Sequence, residues 1–475
     1  MTNDRGLVDY SALALRDLIA TGKVSPIEVL EAHLEEIARL NPSLNAVVTL
    51  ASEQALSAAA AAEKAVMRGD HLGPLHGLPL VIKDTTDTAG IRTTYASPLY
   101  RDNVPEADAE VVARLKRAGA IILGKTNTPE FAAGAHTVNA VFGVTRNPWN
   151  TGLSPAGSSG GSAVAVATGM APLAQGTDFG CSVRIPAAFC GIVGLRTTPG
   201  LIPNEPSQMP WDFGQVNGPL ARSAEDAALM LDAMTGFDPY WPISLPPAWD
   251  SALAEVQAND GVAGTRVAYV SDIAGIGVDK EVDRVCREAL VRLEASGARV
   301  EEIDFDASEG NAAYLTLRAE WMVNNQYRRL AMLDKLGPNL AGNVRDGLAL
   351  TVVELAAARD IRQAIWRRFR DLFTDHDFIL TPAAPVGPFP VEQNFPDQIG
   401  ERQLENYVDW IAPAFLITLV SLVGGSVPAG LSRDGLPVGL QIVGPRLSEP
   451  RVLGLAKHIQ AANPIGWPPI VEADL

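Results

Sequence analysis

The 475-residue chain has no block of basic residues: Lys and Arg number 38 against 55 Asp and Glu, a formal charge of −17. Neutralising a row of phosphates takes clustered cations, so nucleic acid is excluded as a partner. Cysteine is scarce. The three present, Cys181, Cys190 and Cys286, cannot all pair and lack metal-ligand spacing, which points to a reducing cytoplasm. Long apolar runs are missing too. The opening MTNDRGLVDYSALALRDL has neither the basic start nor the apolar centre of a secretion signal, and the richest later stretch, residues 414–423, is too short to cross a bilayer. The expectation is a cytoplasmic protein without a membrane segment.

Apolar residues supply 47% of the chain and charged residues 20%, enough for a large buried core. Length alone suggests about three domains. The order of elements argues against that division. Residues 11–21 and 26–40 read as amphipathic helices, with Ser25 as cap and Pro26 in the first turn, and the alanine-rich residues 51–67 as a third. LPLVIKD (78–84) and AIILGKT (120–126) then read as strands buried on both faces, with EADAEVVARLKRAG as the helix between them. RVAYVSD (266–272), a helix over 280–296, RVEEIDF (299–305) and DFILTPAAP (377–385) repeat the alternation, with a long helical stretch over 309–373. No repeat or long linker intervenes, so the elements are expected to share one large sheet in one α/β domain.

Residues 155–163 read PAGSSGGSA. A slack linker does not fit, because SAVAVATGMA follows at once as a small-residue helix. Nearby GAIILGKT (119–126) matches G-x-x-x-x-G-K-[ST], but its variable positions are strand-like and Asn-Thr-Pro follows instead of a helix, so the match is read as accidental. Two nucleophile readings remain. Gly157-Ser158-Ser159-Gly160-Gly161 fits G-x-S-x-G, with Ser159 as the nucleophile of an α/β-hydrolase and His376 or His458 as base. The preceding RNPWNTGLSPA, however, is unsuited to the strand such an elbow needs.

The other reading uses two serines. In GTDFGCSVRIPAAF (176–189) a strand ends, Gly180 loosens the backbone and Ser182 stands where a helix begins, whose open N–H groups form an oxyanion site. A helix over 161–170 carries the chain about 15 Å away and a strand over 172–178 returns it about 20 Å, so Ser158 and Ser182 can meet at one sheet edge. No histidine lies near either turn in sequence. Lys83, ending the strand LPLVIK, is a candidate neutral base if burial lowers its pKa. It is equally a lysine that reaches solvent or pairs with Asp84.

The stretch GSSGGSAVAVATGMAPLAQGTDFGCSVRIPAAFCGIVGLRTTP (157–199) resembles the signature of the amidase signature family of serine hydrolases, and GLPLVIKD, GKTNTPEF, RNPWN, LTPAAP and GLPVGLQIVG resemble that family's other blocks in the same order. The resemblance covers roughly residues 8–460. It implies one large mixed β-sheet covered by helices on both faces, with 1–475 a single domain and a helical segment over about 1–70 packed on the core. It also implies amide hydrolysis through a Ser–cis-Ser–Lys triad: Ser182 as nucleophile, Ser158 as bridge after a cis peptide, Lys83 as base, and the N–H groups of Phe179, Gly180, Cys181 and Ser182 as oxyanion hole. No metal or organic cofactor is called for. Asp178 and Arg184 read as a buried ion pair bracing the loop.

The sequence departs from the family pattern at Cys181, where Gly is usual and where a Cβ costs about 1–2 kcal/mol if φ is left-handed. It departs again at LVGGSVPAG (422–430), where Pro-Ala is expected before the serine. Met209, Trp211, Trp321, Asn324 and Tyr327 are candidates for a pocket taking an aryl or long acyl group from a small-molecule amide, ester or carbamate. The rival readings are a glutamine-hydrolysing component of a tRNA-dependent amidotransferase and a non-catalytic pseudoenzyme, with Cys181 the only support for the latter. A monomer or homodimer is expected.

Overall fold

Residues 79–83, Pro-Leu-Val-Ile-Lys, form a strand buried along its whole length in the computed structural model, which describes residues 5–473. Eleven strands make one mixed sheet. In chain order they are β1 (Val47–Leu50), β2 (Pro79–Lys83), β3 (Ile121–Thr126), β4 (Leu173–Asp178), β5 (Val193–Arg196), β6 (Val216–Ala221), β7 (Arg266–Tyr269), β8 (Arg299–Glu302), β9 (Phe378–Pro382), β10 (Val423–Leu431) and β11 (Pro437–Gly444). Across the sheet they run β1-β3-β2-β4-β6-β5-β10-β11-β9-β7-β8.

The strand period of two sorts the core. Leu80 and Ile82 join one apolar cluster with helices Glu110–Arg117 and Ala224–Met234, while Val81 joins another with helices Pro26–Leu44 and Gly160–Thr168. Helices therefore cover both faces, and Lys83 shares the face of Val81. Across the far half of the sheet the second face is covered by a third cluster, which includes Ile379, Val443 and Trp410.

β2 runs parallel to β3 and β4, with Lys83 opposite Thr126 and Ile82 opposite Gln175. Their carboxyl ends share one edge, and β6 enters beside it, Val216 opposite Asp178. Such an edge is where open α/β sheets bind ligands.

The long stretch expected over 309–373 is broken. It comprises helices Glu309–Gln326, Pro338–Ala349 and Val352–Asp375 and a 3-10 segment at Tyr327–Lys335. Gly337-Pro338 starts one helix, and Thr351 caps the next in a reciprocal box with Glu354, so local start signals divide the stretch. Among the described residues no helix is long and apolar enough to cross a membrane.

Candidate active site

The segment 155–163 is buried throughout. Its small residues allow close approach: a Cβ on Gly161 would stand 2.4 Å from the Asn127 amide nitrogen and 2.7 Å from the Ala46 carbonyl oxygen. The Gly157–Ser158 peptide is cis, the geometry that the resemblance implied. Ser159 then opens the helix Gly160–Thr168, and β4 returns to the same edge, as the spacing anticipated.

Lys83 is fully buried and donates to three hydroxyls: Ser158 Oγ at 2.6 Å, Ser159 Oγ at 2.9 Å and Thr177 Oγ1 at 2.9 Å. Asp84 does not pair with it. That carboxylate instead accepts from the backbone N–H and hydroxyl of Thr94. With hydroxyls for company, burial pulls the Lys83 amine down to about 7, while the more distant Asp178 and Cys181 pull the other way. Such an amine exchanges between charged and neutral forms near neutral pH.

The loop after β4 presents its amides. Each of five successive carbonyls accepts from an interior donor: Asp178 from Arg196 at 2.8 Å, Phe179 from the Tyr314 hydroxyl at 3.4 Å, Gly180 from Arg184 at 2.8 Å, Cys181 from the Ile185 N–H at 2.9 Å and Ser182 from the Ser159 N–H at 3.0 Å. Among the described residues the N–H groups of Phe179, Gly180, Cys181 and Ser182 donate to none. A backbone held in this way aims a row of open amides at one place.

Asp178 anchors the loop, as expected. Its carboxylate takes Arg184 in a bidentate pair at 2.7 and 3.1 Å and caps the Val183 N–H at 3.0 Å. Arg184 and Arg196 hold its pKa down to about 2 despite burial. Arg196, the second guanidinium on this carboxylate at 3.4 Å, was not anticipated from sequence.

A small cavity joins these parts. Ser158, Thr177, Phe179, Gly180, Cys181 and Ser182 line it, together with Gln215, Arg318 and Trp321. It shares lining residues with a cleft of about 730 Å³ and with another of about 390 Å³, and the two clefts adjoin along Met209, Asp212, Trp321 and Arg328. All five residues proposed from sequence as pocket candidates, Met209, Trp211, Trp321, Asn324 and Tyr327, line the larger cleft. Trp321 stacks on Phe179 at 4.3 Å between ring centroids, and its Nε1 donates to Asp212 at 2.8 Å.

The rival nucleophiles fare poorly. Ser159 follows a loop, not a strand; His376 faces Glu301 and His458 faces Asn259. Cys181 is buried, its thiol donates to the Gly157 carbonyl at 3.4 Å, and burial pushes its pKa up, so it is no thiolate near neutrality. Neither Gly180 nor Cys181 adopts positive φ, so the left-handed strain foreseen for a side chain here does not arise. The second departure, Gly424-Gly425 in place of Pro-Ala before Ser426, lies inside β10, where a Cβ on Gly425 would stand 2.7 Å from Val452 Cγ1.

A histidine does lie beside the serine loop. His136 Nε2 donates to the Val391 carbonyl at 3.0 Å, which leaves Nδ1 of the neutral ring to accept from Ser154 Oγ at 2.6 Å, and burial lowers its pKa to about 4. Its partner is Ser154, away from the cavity. Lys125, the lysine of the G-x-x-x-x-G-K-[ST] match, is likewise enclosed, bound to Thr86, Thr88 and Thr93 at the end of β3.

The family model for amidases matches residues 28–453. The chain belongs to the amidase family. It is an amide-hydrolysing enzyme of the amidase signature type, and its relatives narrow the picture. An acylamidase of Rhodococcus erythropolis is 36% identical over 461 residues, spanning 96% of this chain and 95% of that one. A glutamyl-tRNA(Gln) amidotransferase component of Alkaliphilus metalliredigens is 34% identical, spanning 91% and 92%. The crystal structure of a bacterial aryl acylamidase superposes with a TM-score of 0.89 at 27% identity, covering 98% of both chains. Sequence reasoning named Lys83, Ser158 and Ser182 but missed Thr177, Gln215 and Arg318, which reach the cavity only through the register of the sheet and the packing of helix Glu309–Gln326.

Proposed function

We propose that this amidase works through an acyl-enzyme on Ser182, with Ser158 as the bridging serine and Lys83 as base. Neutral Lys83 takes the Ser158 proton while Ser158 takes that of Ser182, and Ser182 Oγ bonds to the amide carbon. The oxyanion draws on the N–H groups of Phe179 to Ser182. Ser158 then returns a proton to the departing nitrogen and recovers its own from Lys83 as the C–N bond breaks. Water repeats the sequence, giving a carboxylic acid and an amine. The single observation that carries this reading is a fully buried amine 2.6 Å from the Ser158 hydroxyl.

The substrate is a small-molecule amide with an aryl or apolar acyl group, which Trp211, Trp321 and Tyr327 would hold. Ester and carbamate analogues present the same carbonyl to the same groups. Fluorophosphonate labelling followed by intact mass and peptide mapping tests the assignment. The label falls on Ser182, disappears in Ser182→Ala, and survives in Ser159→Ala. A label that persists in Ser182→Ala and vanishes in Ser159→Ala overturns it.

The likeness to a glutamyl-tRNA(Gln) amidotransferase component favours a second reading, glutamine hydrolysis within a complex. Ammonia release from glutamine that requires added partner proteins would support it.

A further inference from the structure

Two clefts open from one small cavity, and they differ in chemistry. The larger is walled by rings, among them Phe179, Trp211, Tyr314 and Trp321. The smaller, the polar cleft, sets Thr177, Gln215, Asn217 and Asn325 beside Tyr95, Phe131 and Trp321, the last shared with the larger. Thr177 and Gln215 line both the polar cleft and the cavity holding Ser158 and Ser182.

We infer that the polar cleft is the subsite for the amine half of the substrate, and that Gln215 selects amines carrying a hydrogen-bonding substituent. The inference rests on the acyl-enzyme reading above. In that mechanism the departing nitrogen takes its proton from Ser158, so it lies on the Ser158–Lys83 side of the carbonyl carbon. Thr177 marks that side: its hydroxyl is 2.9 Å from Lys83 Nζ and its residue walls the polar cleft. The acyl half, on the opposite side of the carbonyl, is directed along Phe179 and Trp321 into the aromatic cleft.

Gln215 stands at the mouth between cavity and polar cleft. It immediately precedes β6, whose first residue pairs with Asp178, so the sheet fixes its backbone beside the oxyanion loop. Its N–H donates to Asp212 at 3.0 Å. Among the described residues its side-chain amide has no hydrogen-bond partner, leaving a donor and an acceptor for a ligand.

The test compares matched anilides. Phenylacetyl 3-hydroxyanilide and phenylacetyl 3-methylanilide differ only in the amine half; phenylacetyl and acetyl 3-methylanilide differ only in the acyl half. Taking each ratio of kcat/KM in a variant relative to wild type cancels intrinsic reactivity. Gln215→Leu is expected to lower the hydroxyl-to-methyl ratio at least fivefold and leave the phenylacetyl-to-acetyl ratio unchanged. Trp211→Ala does the reverse. Because an acceptor amine enters by the route the leaving amine takes, Gln215→Leu also lowers acyl transfer to added 3-aminophenol relative to hydrolysis. Asn325→Leu, on another wall of the cleft, gives the same pattern should Gln215→Leu fail to fold. A Gln215→Leu enzyme that changes the acyl ratio and keeps the amine ratio overturns the assignment of the clefts. A wild-type chain that never acylates Ser182 overturns the reading beneath it.

Discussion

The backbone N–H of Ser159 donates to the carbonyl of Ser182 at 3.0 Å, binding the turn that carries Ser158 to the turn that carries Ser182. The two serine loops are thereby one rigid unit. The helix Gly160–Thr168 and strand β4 make the outward and return legs between them, and Lys83 enters from the adjacent strand. Anything that displaces this unit acts on both hydroxyls together.

Gly161→Ala tests that rigidity. Its Cβ would meet backbone atoms of Asn127 and Ala46, which have no side-chain freedom with which to yield. Overpacking of this kind typically costs about 1–3 kcal/mol, and more where the clash is with backbone. The expected result is a Tm several degrees lower and activity reduced beyond the loss of folded protein, measured by calorimetry and by kcat per fluorophosphonate-titrated site.

In the proposed mechanism Lys83 links activity to pH. Its amine must be neutral to accept a proton, and burial sets its pKa at about 7. kcat/KM for a non-ionising amide should therefore rise with an apparent pKa near 7 and level off above pH 8. An acidic limb centred near pH 4 would instead indicate a carboxylate base. Lys83→Met should lose activity by at least a thousandfold, whereas Ser159→Ala, which removes only one of three hydroxyls around the amine, should lose far less.

The same burial carries a stability cost. In the unfolded chain Lys83 keeps its ordinary value of 10.5, so between about pH 7 and 10.5 only the unfolded state holds the proton and stability rises with pH. Lys83→Met removes this slope. The variant should be inactive and yet more stable than wild type at pH 7, as denaturant melts at pH 7 and pH 9 would show. Equal stability gaps at both values would count against a desolvated amine.

Much of this site was legible in the sequence because its signals are local. LPLVIK announces a buried strand ending in lysine, and the helix-and-strand interval between Ser158 and Ser182 returns the chain to one edge. The three-hydroxyl nest of Lys83 was not legible, because Thr177 reaches it through the pairing of β2 with β4. Arg196 and Arg318 arrive on other elements altogether. His136 also escaped notice: it is distant along the chain, yet the loop folds back so that a Cβ on Gly157 would stand 2.9 Å from its amide nitrogen. The helical stretch expected over 309–373 is helical along most of its length, and its division at Gly337-Pro338 and at the Thr351 box was not foreseen although both signals are local.

Asp178→Asn separates bracing from chemistry. The carboxylate touches Arg184, Arg196 and the Val183 amide but lies outside the proposed proton path. Breaking a buried pair by removing one partner typically costs about 3–5 kcal/mol, because a guanidinium is left unpaired in the interior. The folded pKa of about 2 lies below the ordinary 3.8, so this stabilisation is fully present above pH 3.8 and is lost as pH falls toward 2. Wild type should therefore lose stability through this acidic window, and Asp178→Asn should lack the corresponding component. The variant's remaining folded fraction, titrated with fluorophosphonate, should show a rate profile displaced to lower pH, because the Asp178 charge helps hold the proton on Lys83. An unmoved profile would leave Asp178 a brace alone, with no part in setting the protonation of the amine.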